Sequence, residues 1–196
     1  MAGRGAREAG ERLILIPKYQ LGFVHVPKTG GSSITAALAK FTRVPLPEKD
    51  EHGWQSRHHV GPMHATLEES RDRLPAGTFT FGFVRNPWDQ ALSLHTFLRN
   101  DPGESLRDFL KRSDWRVQMY LRPQGDWVDG CDFVGRFEAL QYDFDQVCAL
   151  QSMPPALLPH RNNFPRAYAA HDEETAQLVR DRWPSDCERL GYQAPA

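Results

Sequence analysis

The segment that most directly suggests chemistry is 28–33, Lys-Thr-Gly-Gly-Ser-Ser. The residues just before it, 22–26, are mostly apolar and include two valines, which is typical of a buried strand. After it, apolar residues recur at helical spacing, at Ile34, Ala37, Leu38 and Phe41. The glycines therefore fall at a strand-to-helix turn, where main-chain N–H groups and the helix dipole converge on an anion. With the positive charge of Lys28, this pattern predicts a phosphate-binding loop.

The order of the residues separates this loop from a Walker A motif. In Walker A the lysine follows the last glycine, and a serine or threonine comes next. Here Lys28 precedes the glycine pair. Taken alone, the segment is equally compatible with a flexible turn that carries a surface lysine. A second segment makes the phosphate site the better interpretation.

The second segment, 78–93, also predicts a strand that leads into a helix. Asn-Pro at 86–87 fits the N-cap and the first helical position, so Arg85 falls at the carboxyl end of the strand. Ligands of open α/β sheets bind at that edge, and the guanidinium fork of arginine suits a phosphate monoester. Ser93, about two turns into the helix, can add a hydroxyl to the same group. The alternative is a structural salt bridge from Arg85, for example to Asp89.

Together the two segments resemble the sulfotransferases that use 3'-phosphoadenosine 5'-phosphosulfate (PAPS), specifically the carbohydrate branch that includes the heparan 2-O enzymes. In that family the first loop, 27–33 in this chain, holds the 5'-phosphosulfate of the donor. The second motif binds the 3'-phosphate, which corresponds to Arg85 and Ser93 here. The resemblance continues at 134–140 and 158–163, so it spans most of the chain, and it is closest to soluble bacterial members.

The resemblance implies a role for each part of the donor site. Lys28 neutralises the 5'-phosphate and stabilises the charge that grows on the bridging oxygen as the sulfuryl group leaves. Gln90 stands where many relatives carry an arginine, so no role is predicted for its side chain. No metal is expected, because a lysine, an arginine and a helix terminus balance the donor's charge. The other residues of the loop bind mainly through main-chain N–H groups, with added contacts from the serine hydroxyls: Thr29, Gly30, Gly31, Ser32 and Ser33.

Sulfuryl transfer to an alcohol also requires a base, because the acceptor hydroxyl loses its proton as it attacks. Histidine is the natural base near neutral pH. Four histidines lie between the two segments: His52, His58, His59 and His64. The family has a histidine just before the helix that precedes the 3'-phosphate strand. His64 matches that position best and His59 is the second candidate. These histidines could instead bind zinc, but their spacing matches no closed zinc site.

Two further groups are predicted to contact the ligands. The loop 160–163, with Arg161 or Arg166, is expected to close over the nucleotide or the acceptor. Other side chains are suggested for sugar contact, on the affinity of aromatic rings and planar polar groups for carbohydrate: Trp54, Arg57, Gln124 and Trp127.

Composition bounds the class of protein. The 196 residues, of which 40% are hydrophobic, can bury one core, and we expect one sulfotransferase-type domain over 11–196 after a polar tail at 1–10. A net charge of −1 argues against a general nucleic-acid-binding protein, which needs a basic face. No run is long enough to span a membrane, and the first residues lack the apolar core of a signal peptide, which predicts a cytoplasmic protein. Three separated cysteines predict no disulfide framework.

Strands that alternate with helices predict an α/β fold of three layers, a P-loop-like arrangement in which helices flank a central, mostly parallel sheet. Strands are expected near 13–17, 22–26, 78–84 and, as a third buried strand, 132–137. Helices are expected from the glycine loop to about Pro45, from Thr66 to about Leu74, from Pro87, from near Pro102, and at 140–150 and 173–183. The stretch 48–63 is expected to be an ordered loop.

We therefore expect a PAPS-dependent sulfotransferase that acts on a hydroxyl group of a carbohydrate or of a glycosylated small molecule. One alternative is a kinase or nucleotide hydrolase that uses the glycine loop for ATP and requires magnesium. The other is a catalytically silent nucleotide-binding module. Magnesium-dependent ATP binding would favour the kinase, and donor binding without turnover would favour the silent module.

Overall fold

Five short segments of the chain pair into one sheet. The computed structural model describes residues 13–41, 59–60, 66–99, 101–160 and 171–193, with the main chain alone at 59, 60 and 116. The strands are β1 (Leu13–Ile16), β2 (Leu21–Val24), β3 (His59–Val60), β4 (Phe79–Val84) and β5 (Phe133–Arg136). The helices are α1 (Gly31–Leu38), α2 (Leu67–Ser70), α3 (Pro87–Leu98), α4 (Leu106–Leu110), α5 (Trp115–Tyr120), α6 (Gln124–Val128), α7 (Leu140–Leu150), α8 (Glu173–Arg182) and α9 (Pro184–Arg189).

The strand order is β3-β1-β2-β4-β5. β2, β4 and β5 are parallel neighbours, whereas β1 is antiparallel to both β2 and β3. The predicted mostly parallel sheet is confirmed, and β1 is the strand that departs from it. The reason is the connection from β1 to β2, a single 3-10 turn at Pro17–Tyr19 that ends at Gln20 in the left-handed region (φ 45°). A link this short can join only antiparallel strands.

Helices cover both faces of the sheet, which gives the predicted three layers. One face buries Phe23, Phe81 and Phe83 against α1 and α7. The other buries Val24 and Val84 against α2 and α6. A further cluster joins the outer face of α3 to α4 and α8, and it includes the buried rings of Trp88, Phe109 and Trp183. Both faces of β2 and β4 are therefore covered, as expected for the central strands of an α/β sheet.

Several element boundaries agree with local sequence signals. Thr66 and Glu69 form a capping box at the start of α2, with Oγ1 of Thr66 accepting from the Glu69 N–H at 3.1 Å. Asn86 caps α3 by accepting from the Trp88 N–H at 3.0 Å, and Pro87 is the first helical residue. The ends of α7 are the predicted ones, and α8 ends one residue before the predicted limit at 183.

Other boundaries differ. The helix expected from near Pro102 begins at Leu106, because Ser105 is the residue that caps it. β5 lies at the edge of the sheet, and Val134 is 41% exposed, so the prediction of a buried strand was wrong. α1 ends at Leu38 and a 3-10 turn follows it to Phe41; the end predicted near Pro45 lies outside the described residues, as does the tail at 1–10. Within the predicted loop 48–63, His59–Val60 forms a short strand, and the rest of that loop also lies outside them.

The topology brings three chain segments to one edge of the sheet. β2, β4 and β5 run in the same direction, so their carboxyl ends at Val24, Val84 and Arg136 face the same side. The glycine loop leaves β2 there, Arg85 leaves β4, and Phe137 leaves β5. Among the described residues, no helix is long and apolar enough to cross a membrane.

Candidate active site

The glycine loop connects β2 to α1 through two residues with positive φ, Lys28 at 65° and Gly30 at 87°. The carbonyl of Gly30 accepts from the N–H groups of Ser33 and Ile34 at 2.9 and 3.2 Å, which starts α1. The buried hydroxyl of Thr29 donates to the carbonyl of Val26 at 3.0 Å and so closes the loop on itself. The first N–H groups of α1 point out of its amino end, where the helix dipole favours an anion.

Lys28 lies half-buried at the tip of this loop. Its ammonium group is 4.3 Å from the centre of the Phe97 ring, a cation–π contact with the last turns of α3. Burial, and after it the positive charge of Arg85, lower the pKa of Lys28 from 10.5 to about 8. Two cations therefore share this edge of the sheet, and an anion between them would relieve their repulsion.

Arg85 is the first residue after β4, and its guanidinium bridges two other elements. Nη1 donates to the main-chain carbonyl of Lys28 at 3.4 Å. The guanidinium carbon lies 4.2 Å from the centre of the Phe137 ring, which follows β5. These contacts hold the arginine against the loop that carries Lys28, as the two sequence motifs predict for a shared site.

α3 presents one face to the glycine loop. The side-chain amide of Gln90 donates to the carbonyl of Pro27 at 2.9 Å, and Phe97, seven residues later, contacts the ammonium of Lys28. Ser93 lies between them, three residues after Gln90 and four before Phe97, so it shares that face. Ser93 is partly buried.

The structure describes only part of the predicted site. His64 and Arg161 lie outside the described residues, and of His59 only the main chain is described. His59 pairs with Ile14 of β1, which pairs with Phe23 of β2. At the usual strand spacing, His59 is therefore about 10 Å from β2 and level with the end that leads into the glycine loop.

The structure also describes His25 and two of the residues suggested for sugar contact. His25 is buried and stacks on Phe23, with ring centres 5.7 Å apart. Gln124 and Trp127, suggested for sugar contact, are 0% and 1% exposed, so that prediction was wrong for both. Trp54 and Arg57 lie outside the described residues. Within the described ranges, no three metal-ligating side chains cluster, and the three cysteines are free thiols.

Three residues of this site were missed by the sequence reasoning. Gln90 was given no role, although it forms a buried hydrogen bond with the loop. Phe97 could have been found from its helical spacing to Ser93, which puts it on the same face of α3. Phe137 gave no local signal, because its contact with Arg85 depends on the pairing of β4 with β5.

The sequence profile of the sulfotransferase family matches residues 11–125, more than half of the 196-residue chain. The chain belongs to the sulfotransferase family. The matched range contains the glycine loop, Arg85 and the whole of α3, the parts that converge at the carboxyl edge of the sheet. No curated protein matches this sulfotransferase at a significant level.

Two solved sulfotransferase structures align with this chain. A sulfotransferase from Alicyclobacillus acidocaldarius aligns with a TM-score of 0.52 and 17% identity over 87% of this chain and 93% of its own. Mouse sulfotransferase SULT7A1, solved in complex with PAP, aligns over 88% of this chain and 66% of its own, also at 17% identity, with a TM-score of 0.39. The likeness to the Alicyclobacillus acidocaldarius sulfotransferase shows a shared fold.

Proposed function

We propose that this sulfotransferase uses PAPS as its donor and transfers the sulfuryl group to a hydroxyl of a carbohydrate or glycosylated small molecule. The single observation that carries the proposal is the contact between the two motifs. Nη1 of Arg85 donates to the carbonyl of Lys28, so two cations from segments 57 residues apart lie at the start of α1. A donor with phosphates at both the 5' and 3' positions presents two separate anionic groups, which suits two separate cations.

The chemistry of the residues fits such a donor. We assign the 5'-phosphosulfate to Lys28 and to the main-chain N–H groups of 29–33, since a loop with two positive-φ residues ahead of a helix presents several donors to one anion. We assign the 3'-phosphate to Arg85, the first residue after β4, and to Ser93 of α3, both beside that loop. When bound, PAPS supplies an activated sulfuryl group for transfer to the acceptor oxygen.

The residues of the chain then contribute charge and orientation. Lys28 must be protonated to stabilise the negative charge that develops as the phosphate leaves, and its pKa of about 8 leaves it mostly protonated at neutral pH. Phe97 limits the positions open to the ammonium, because the ring face attracts the cation. Gln90 and Thr29 hold the loop that carries Lys28 through buried hydrogen bonds. These contacts preorganise the site before the donor binds.

We assign the general base to His64, with His59 as the second candidate. Support comes from the direction of β3. It is antiparallel to β1 and therefore runs with β2, so the chain leaves Val60 towards the edge that carries the glycine loop. His64 follows four residues later, and Thr66 then caps α2. We therefore infer that His64 accepts the proton of the acceptor hydroxyl.

Binding calorimetry tests the donor assignment. Adenosine 3',5'-bisphosphate and ATP are titrated separately into wild type and Arg85→Ala, with and without magnesium. Metal-independent binding of the bisphosphate that is lost in the variant is expected. A preference for magnesium-ATP would contradict the proposal and favour phosphoryl transfer.

A turnover assay tests the acceptor assignment. With PAPS as donor, oligosaccharides with free hydroxyls and simple phenols are compared as acceptors, and sulfated products are detected by mass spectrometry. We expect sulfated oligosaccharide. Sulfation of phenols alone would overturn the carbohydrate assignment and keep the donor assignment. Bisphosphate binding with no turnover on any acceptor would favour the silent module.

A further inference from the structure

Arg85 is held by its main chain as well as by its guanidinium. Oε1 of Gln124 accepts from the N–H of Arg85 at 2.7 Å, and Nε2 of Gln124 donates to the carbonyl of Arg85 at 2.8 Å. β4 ends at Val84. At the next residue, Arg85, the side-chain amide of Gln124 pairs with the main-chain N–H and carbonyl in the way that a neighbouring strand would. Gln124 is 0% exposed, so its amide meets these main-chain groups out of contact with solvent.

Gln124 is itself anchored by a carboxylate from α9. Oδ2 of Asp186 accepts from the N–H of Gln124 at 2.7 Å, and Oδ1 accepts from the N–H of Gly125 at 2.8 Å. These are the first N–H groups of α6, whose N-cap residue is Pro123 and offers no side-chain acceptor. Asp186 thus caps α6 from 62 residues away, and it is 1% exposed.

The two contacts form one chain of hydrogen bonds from α9 to the phosphate-binding edge. Its last member, Arg85, contacts the loop carbonyl of Lys28 through its guanidinium. The main-chain position of a residue sets where its side chain can reach, and a displacement of about 1 Å is enough to weaken binding in a preorganised site. Asp186 lies outside the residues that the family profile matches, which end at 125.

We propose that Gln124 and Asp186 are positioning residues of the donor site, which hold the main chain of Arg85 so that its guanidinium faces a phosphate of the donor. The inference rests on the proposed function, because it takes Arg85 as a ligand of that phosphate. A purely structural role would stabilise the fold and leave the donor affinity of folded molecules unchanged.

Calorimetric titration with adenosine 3',5'-bisphosphate separates the two roles. Gln124→Met removes both hydrogen bonds to Arg85 at nearly constant volume, and Asp186→Asn is the milder change, which keeps one acceptor oxygen. Both variants are expected to raise the Kd about tenfold or more, with a binding stoichiometry close to that of wild type. Partial misfolding would instead lower the stoichiometry and leave the Kd unchanged. Gln177→Met, at an exposed position of α8, is the matched control and is expected to bind as wild type does.

A double-mutant cycle with Arg85→Ala gives the decisive result. If Gln124 acts through the guanidinium, Gln124→Met adds little further loss of affinity when Arg85 is already alanine. If Gln124→Met raises the Kd by the same factor with Arg85 present as with alanine at 85, the inference is overturned. Wild-type Kd values for both Gln124→Met and Asp186→Asn would also overturn it. If Gln124→Met does not fold, Asp186→Asn with the same cycle decides. Absence of bisphosphate binding by wild type would contradict the proposed function instead.

Discussion

The side-chain amide of Gln90 donates to the main-chain carbonyl of Pro27 across 2.9 Å, although 63 residues separate them. Gln90 is 2% exposed and lies one turn before Ser93 on α3. The bond ties the helix that follows Arg85 to the loop that carries Lys28. The two motifs of the proposed donor site are therefore joined by two contacts, one through Gln90 and one through the guanidinium of Arg85.

Replacement of Gln90 is expected to affect both stability and binding. Gln90→Leu leaves the carbonyl of Pro27 buried without this donor, which costs about 1–3 kcal/mol of unfolding free energy. The bisphosphate affinity of the folded variant is also expected to fall, because the glycine loop loses the hydrogen bond that holds Pro27 to α3. Urea denaturation and calorimetry measure the two effects, with Gln177→Leu as the exposed control. Unchanged stability would show that water replaces the amide.

Arg85 is expected to dominate donor affinity. Arg85→Ala loses on the order of 2–4 kcal/mol of binding free energy for adenosine 3',5'-bisphosphate, because a phosphate is left poorly paired. Arg85→Lys keeps the charge but not the fork, so it recovers only part of the loss. Ser93→Ala removes one hydrogen bond from a hydroxyl to the charged phosphate and costs about 1.5–3 kcal/mol. Adenosine 5'-monophosphate, which lacks the 3'-phosphate, is the control ligand, and its binding should depend little on Arg85. An equal loss for both ligands would argue against the 3' assignment.

Lys28 is expected to make donor binding depend on pH. Its pKa of about 8 lies below the usual value, because burial and Arg85 disfavour the charged form. Donor phosphates favour that form, so binding above pH 8 requires proton uptake and weakens as the pH rises. Calorimetry at pH 9 in buffers of different ionisation enthalpy measures the uptake, which should vanish at pH 7. Lys28→Arg stays charged at both values and should show no uptake. The same uptake in that variant would assign the titration to another group.

The base assignment is tested by comparing two histidines. His64→Ala should reduce turnover about a hundredfold or more and spare bisphosphate affinity, because the base acts on the acceptor. His59→Ala should have the smaller effect. Steady-state rates with PAPS and calorimetry provide the two readouts. If His64→Ala kept full turnover and His59→Ala lost it, the base would be His59.

Two glycines with similar backbone angles provide a steric test of the loop. Gly30 and Gly77 have φ values of 87° and 77°. The left-handed conformation therefore costs an alanine at either position about 1–2 kcal/mol of unfolding free energy. At Gly77 a Cβ would meet nothing within 4 Å, whereas at Gly30 it would lie 2.7 Å from Cδ2 of Leu140. Gly30→Ala should therefore destabilise the protein more than Gly77→Ala and should alone weaken bisphosphate binding. Denaturation midpoints and calorimetry measure the difference. Equal effects would mean that the side chain of Leu140 moves aside without cost.

Local sequence signals predicted the elements that carry the site. The cap at Asn86, the capping box at Thr66 and the limits of α7 all rest on residues a few positions apart, so they can be read without knowing the fold. The same holds for the strand before the glycine loop. By contrast, the reversed direction of β1 depends on a turn whose geometry has no strong sequence signature, and the exposure of β5 depends on which strand ends the sheet.

By itself, the sequence determined which segments form the glycine loop and the strand that Arg85 follows, because caps, periodicity and turn residues act within one or two turns of the chain. The tertiary structure decided what holds them together. Gln124 was predicted to contact sugar, yet it is buried against the main chain of Arg85, 39 residues away. Asp186 caps α6 from 62 residues away. These long-range hydrogen-bond partners depend on how the helices pack against the carboxyl edge of the sheet. Local sequence cannot predict them, because a polar residue has the same neighbours in sequence whether its side chain contacts a ligand or a buried main chain.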